Sequence, residues 1–152
     1  MKKIIPDMVF QEETNECGLS CIAMLAQTQN IPCSLPALRE IFPASDHGTS
    51  LSDLSVILQQ VGIATAPVLF DHDELHALPF PSILHYGASH YVLLAWRKGD
   101  YVCVMNPAIG QQWLPFSALK KEISGYALIL EESPGDRKST RRTPVTCNHL
   151  VC

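Results

Sequence analysis

Several features that mark other classes of protein are missing from this 152-residue sequence. It has no run of about 20 apolar residues, the length that a helix needs to span a bilayer. The start of the chain has two lysines but only a short apolar stretch and no small-residue cleavage site, which argues against a signal peptide. The net charge is −4, so the basic surface of a nucleic-acid-binding protein is not expected either.

The six cysteines contain neither a CxxC pair nor two ligand pairs at the spacing of a zinc knuckle. Potential ligands are present, but their spacings do not match a zinc site: Cys17, Cys21, Cys33, His85 and His90. We therefore expect no metal and no cofactor. Without a signal peptide the default compartment is the cytoplasm, where cysteines stay reduced.

The composition that is present fits one globular domain. Hydrophobic residues make up 47% and charged residues 17% of the chain. A domain of this length hides about two-thirds of its unfolded surface. Residues 1–135 carry a net charge of −7 and residues 136–152 a net charge of +3. Because the last segment is rich in Ser, Thr, Pro and Arg, we predict a domain over 1–132 and a disordered basic tail over 133–152.

Helix-like patterns occupy the first part of the domain. Asn15 is a candidate N-cap for a first helix, and 34–41 is a short second helix. Ser50 and Asp53 resemble a capping box that opens a third helix, which Gly62 ends. Strand-like runs follow at 64–69, 82–85, 90–96, 101–105 and 126–131, with a hairpin turn at 98–100. Helices followed by an antiparallel sheet predict an α+β fold.

Cys17 lies in the first turn of the first predicted helix. Orphan N–H groups and the positive end of the helix dipole favour a thiolate there, and a thiolate is a nucleophile. Gly18 leaves room for a substrate backbone beside it. The alternative is that Cys17 is a small buried hydrophobe, as most free cysteines are. Cys21, one turn further along, is better interpreted as core packing, because Ile22 and Leu25 beside it are apolar.

A nucleophilic cysteine needs a base and a group that orients the base. His90 opens an apolar strand, although a surface residue at a strand end is an equally simple interpretation. Pairing through the 98–100 turn places Leu94 opposite Val104 and brings Asn106 within reach of the imidazole. Cys, His and Asn form the constellation of papain-type proteases. Gln11 can donate an N–H to a developing oxyanion.

Four segments then carry a family resemblance that runs in order along residues 4–131: QEETNECGL at 11–19, PFPSILH at 79–85, HYVLL at 90–94 and NPAIG at 106–110. They resemble the bacteriocin-processing peptidase domain of certain bacterial ABC exporters, a papain-like cysteine protease family. The resemblance implies a papain-like α+β fold and cleavage after a double-glycine leader, coupled to export of the peptide. It assigns Cys17 as nucleophile, His90 as base, Asn106 as orienting residue and Gln11 as oxyanion donor.

The resemblance also implies partners and a location. The leader peptide and an exporter's membrane and nucleotide-binding domains are the expected partners, at the inner face of the cell membrane. Asn106 stands where the family usually has aspartate, which puts the level of activity in question. A transporter's membrane helices normally follow such a domain, so the chain is interpreted as a stand-alone peptidase, a cut-out domain or a truncated exporter.

Two other functions are compatible with parts of the sequence. A leader-binding module without catalysis agrees with Asn106, but the presence of Gln11, Cys17 and His90 favours an enzyme. A thiol-redox or zinc protein would need a CxxC pair or matched zinc ligands, and the sequence has neither.

Overall fold

The computed structural model describes residues 5–13, 15–42, 49–87, 90–131 and the backbone of 143–144. Three helices come first: α1 (Cys17–Thr28), α2 (Leu35–Ile41) and α3 (Leu51–Gln60). Strand β1 (Thr65–Leu69) and a 3-10 helix (His72–Ala77) lead into the rest of the sheet. A short fourth helix, α4 (Phe116–Leu119), lies later in the chain.

The strands after β1 are β2 (Ser82–Tyr86), β3 (His90–Lys98), β4 (Tyr101–Asn106), β5 (Gly110–Pro115), β6 (Ile123–Leu130) and β7 (Thr143–Pro144). They form one antiparallel sheet with β1, in the order β5-β4-β3-β2-β6-β1-β7. The arrangement of N-terminal helices and antiparallel sheet confirms the predicted α+β fold.

Both faces of the sheet are buried, and β3 shows why. Its side chains alternate between the two faces, as a strand requires. Tyr91 and Leu93 pack with the three N-terminal helices, whereas Val92 and Leu94 pack with the 3-10 helix and α4. Because β3 has no solvent face in this stretch, the register of the central sheet is firmly set.

The predicted hairpin is present, and its register is correct on the side that matters for the site. Leu94 pairs with Val104 and Leu93 with Met105. Between Leu94 and Trp96 the register shifts by one residue, so that Lys98 pairs with Tyr101. Counting residues back from the turn cannot reveal such a bulge.

Glu16, not Asn15, is the N-cap of α1, so the helix begins one residue later than predicted. The sequence pattern does not predict strand β5, because two successive polar residues, Gln111 and Gln112, interrupt the alternation of apolar and polar side chains.

The predicted tail, 133–152, lies outside the described residues apart from the short β7, so its disorder stays a prediction. Within the described part of the chain, no helix is both long and apolar enough to cross a membrane.

The capping box of α3, which the local sequence predicts, can be tested directly. The Ser50 hydroxyl accepts from the Asp53 amide at 3.0 Å, and the Asp53 carboxylate accepts from the Ser50 amide at 3.3 Å. We expect Ser50→Ala to lower the free energy of unfolding by about 1 kcal/mol, because helix N–H groups lose their acceptor. Urea denaturation measures this. Ser55→Ala, the same change inside α3, is the control and should cost nothing; equal losses in both variants would contradict the assignment.

Candidate active site

The ends of two neighbouring strands bring His90 and Asn106 together. His90 is the first residue of β3 and Asn106 the last residue of β4. The His90 Nε2 and the Asn106 Oδ1 are 2.8 Å apart, within hydrogen-bonding distance. The contact predicted from the hairpin is therefore present in the structure.

A second contact identifies which atom of the Asn106 amide faces the histidine. The backbone N–H of Ala108 donates to Asn106 Oδ1 at 3.0 Å. A backbone N–H can only donate, so the atom it meets is the oxygen. Because that same oxygen faces His90, the ring must donate to it through Nε2–H. In a neutral imidazole this leaves Nδ1 as an acceptor, the atom a thiol proton needs.

Packing holds the imidazole and the amide in this arrangement. Asn106 is buried, with 5% of its surface exposed. The ring of Tyr86, the partner of His90 in the β2–β3 ladder, packs edge-on against the imidazole, with centroids 6.5 Å apart. Both partners of the hydrogen bond are thereby restricted in their side-chain rotation.

Cys17 is the first residue of α1, within the first turn in which the sequence places it, and is fully buried. Helix α1 packs against β3, the strand that begins at His90. In contrast to the expectation of reduced thiols, Cys17 is disulfide-bonded in this structure, whereas Cys21 and Cys33 are free cysteines. A disulfide sulfur is not a nucleophile, so the predicted role of Cys17 as nucleophile requires its reduced form.

Cys21 is fully buried within the helix-side core, as predicted. Burial raises the pKa of its thiol, because a thiolate loses its hydration there. Cys21 is thus poorly suited to act as a nucleophile. Among the described residues, no group of three or more His, Cys, Asp or Glu side chains is arranged to hold a metal ion.

Gln11 is tied to the turn that follows Asn106. Its backbone N–H donates to the carbonyl of Pro107 at 3.1 Å, which joins the segment before α1 to the end of β4. Its side-chain Nε2 donates to the carbonyl of Glu13 at 3.1 Å. An amide nitrogen carries two hydrogens, so this bond leaves a second one to donate elsewhere.

The sequence interpretation missed one charged pair beside these residues. Glu16, at the start of α1, is 2% exposed and accepts hydrogen bonds from Arg39 of α2. The hydrogen bond from Arg39 is the main reason that the pKa of the Glu16 carboxyl is lowered. Nothing in the local sequence separates Glu16 from the exposed acids Glu12 and Glu13, since only the fold brings Arg39 to it.

The model of the Peptidase C39 family matches residues 6–135. This chain belongs to the Peptidase C39 family. The family is one of cysteine proteases, so the predicted enzyme class is confirmed. The catalytic roles of Cys17, His90, Asn106 and Gln11 stay predictions.

Several named proteins are similar to this C39 chain. It is 35% identical over 146 residues to "Probable microcin-H47 secretion/processing ATP-binding protein MchF" of Escherichia coli, covering 95% of this chain. It is 31% identical over 144 residues to the colicin V secretion/processing ATP-binding protein CvaB of the same species, again covering 95% of this chain. The chain spans about a fifth of the length of these curated relatives, 21% of each.

A solved structure with the same fold confirms the predicted papain-like architecture. It is a double glycine motif protease from an AMS/PCAT transporter in complex with the leader peptide. The TM-score is 0.76 at 23% sequence identity, over 86% of this chain and 100% of the other.

Gly18 has a different role from the one expected. A Cβ placed on it would lie 2.7 Å from Leu54 Cδ2, so its missing side chain makes room for α3 and not for a substrate. Leu54 is itself fully buried and has little space to move. The position is explained by helix packing.

We therefore expect Gly18→Ala to lower the free energy of unfolding by about 1–3 kcal/mol through overpacking, with KM for a peptide substrate unchanged. Thermal denaturation and steady-state kinetics measure the two effects. Ser20→Ala is the control in the same helix: its hydroxyl is buried without a hydrogen-bond partner, so its removal should not destabilise. A raised KM at unchanged stability in Gly18→Ala would restore the substrate interpretation.

Proposed function

We propose that this chain is the peptidase that removes a double-glycine leader from a secreted peptide precursor, cutting after the second of the two small residues. The observation that carries the mechanism is the shared oxygen of Asn106, which sets His90 to accept a proton at Nδ1. The choice of substrate is supported by the family and by the similarity to a double glycine motif protease bound to a leader peptide.

In the first half of the reaction the reduced Cys17 gives its proton to His90 Nδ1. The thiolate sulfur forms a bond to the carbonyl carbon of the scissile peptide, and the carbonyl π electrons move to the oxygen. Gln11 donates its second amide hydrogen to that oxyanion. When the C–N bond breaks, His90 returns the proton to the leaving amine, and the leader stays attached to Cys17 as a thioester.

In the second half, water replaces the departed peptide. His90 removes a proton from the water as oxygen attacks the thioester carbon. The C–S bond breaks, the leader leaves as a carboxylic acid and the thiolate is regenerated. Asn106 holds the ring throughout, because Oδ1 accepts from Nε2–H whether or not Nδ1 carries a proton.

We further propose that the domain works with the membrane and nucleotide-binding domains of an ABC exporter, at the inner face of the cell membrane. The support is the similarity to secretion/processing ATP-binding proteins, in which the matched region makes up about a fifth of the chain. No cofactor is needed by the chemistry described, since thiol, imidazole and amide supply every step.

The direct test is cleavage of a synthetic peptide with a double-glycine leader, under reducing conditions and with mass spectrometry of the products. We expect one cut, after the second glycine. Cys17→Ala should abolish it by removing the nucleophile. Cys21→Ala should retain it and lose only stability, because Cys21 is a buried packing residue. Cleavage by Cys17→Ala, or scattered cuts in any unfolded protein, would refute the proposal.

Position 106 offers a second prediction. Asn106→Asp keeps an oxygen facing Nε2 and the Ala108 amide, and adds a charge that stabilises the imidazolium. Turnover should therefore be kept or raised. Asn106→Ala leaves the ring without its acceptor, so kcat should fall by about ten-fold or more with little change in KM.

The comparison of these two variants with the wild type also tests the alternative of a leader-binding module. A wild type that binds the leader peptide without cutting it, and that gains activity only as Asn106→Asp, would show that asparagine has removed catalysis. Titration calorimetry with the Cys17→Ala variant gives the affinity for the uncut peptide.

A further inference from the structure

The most unusual charge in the described residues is the carboxylate of Glu16. It is 2% exposed, and burying a carboxylate is costly unless it is paired and hydrogen-bonded. Arg39 supplies that pairing through two nitrogens: Nε meets Oε2, and Nη2 meets Oε1 at 3.2 Å. A buried ion pair does not by itself show that the pair stabilises the fold. The role of Glu16 and Arg39 is therefore inferred from the other contacts that Glu16 makes.

Those contacts run towards the proposed oxyanion donor. Glu16 Oε1 accepts from the backbone N–H groups of Glu12 and Glu13, each at 3.1 Å. The carbonyl of Glu13 accepts in turn from Gln11 Nε2 and from the Glu16 backbone N–H, both at 3.1 Å. A continuous set of hydrogen bonds therefore connects Arg39 on α2 with the side chain of Gln11.

Glu16 is also the residue immediately before Cys17 and the N-cap of α1. The same side chain that organises the backbone at residues 12 and 13 is thus joined by one peptide bond to the proposed nucleophile. Arg39 fixes the direction of the carboxylate, because a guanidinium that donates from two nitrogens allows one orientation only.

We propose that Glu16 and Arg39 form a positioning pair that sets Gln11 relative to Cys17 and so shapes the oxyanion site. Neither residue touches the reacting atoms. The inference rests on the proposed function, in which Gln11 stabilises the oxyanion. It differs from simple fastening of α2 to α1, because the pair acts through the backbone of residues 12 and 13.

The first test is independent of catalysis. We expect Arg39→Met to increase hydrogen exchange at the Glu12 and Glu13 amides, while peptides from the interior of α1 keep wild-type protection. Lys120→Met is the matched control: it removes a cation from an exposed pair with Asp73, 3.0 Å apart and on the other side of the sheet. Unchanged exchange at residues 12 and 13 in Arg39→Met would overturn the proposal.

The second test asks whether the pair acts through Gln11. Loss of one oxyanion donor lowers kcat by roughly 10²–10³-fold, which sets the largest effect for Gln11→Ala. Arg39→Met should lower kcat by about ten-fold or more within that limit, with KM unchanged. In a Gln11→Ala background, Arg39→Met should then change kcat by less than about two-fold, because the group it positions is already gone.

Equal losses from Arg39→Met in both backgrounds would show a merely structural role and overturn the proposal. Arg39→Lys serves if Arg39→Met does not fold: it keeps the charge but donates from one nitrogen, so an intermediate kcat and exchange rate are expected. If the wild type fails to cleave any leader peptide, the proposed function falls, and the exchange measurements alone decide whether the pair positions this segment.

Discussion

The burial of strand β3 on both faces is the constraint on which the rest of the structure depends. With Tyr91 and Leu93 packed under the helices and Val92 and Leu94 packed on the opposite side, a slip of one residue would exchange two complete cores. This fixes where the strand begins. His90 therefore occupies a defined place at the sheet end, and β4, paired in register, delivers Asn106 beside it.

How much of the fold the sequence predicts depends on how far apart along the chain the interacting residues lie. Ser50 and Asp53 are three residues apart, so a local pattern identifies their capping box. The 98–100 turn and the apolar alternation around it similarly define the hairpin. Strand β5 escapes detection because its polar glutamines are acceptable only at the edge of a sheet, and whether a strand lies at an edge is decided by the whole fold.

The residues of the candidate site can be grouped in the same way, by the sequence range of the contacts that define their roles. Cys17, His90, Asn106 and Gln11 can be selected from sequence because each stands where an apolar element begins or ends, or in a segment with family resemblance. Glu16 cannot, because its partner is 23 positions away and on another helix. The local sequence likewise suggests that Gly18 faces the substrate, because only the packing of α3 shows that Leu54 lies against it. Residues whose role depends on a distant contact need the structure.

The hydrogen bond from Gln11 to the carbonyl of Pro107 has a consequence for the order of events during synthesis. A residue near the beginning of the chain is held by one that leaves the ribosome almost a hundred residues later. Contacts of such high sequence separation form late, because the loop between them must close first. The proposed nucleophile Cys17 is thus synthesised long before Asn106, and the proposed site is complete only after β4 has joined the sheet.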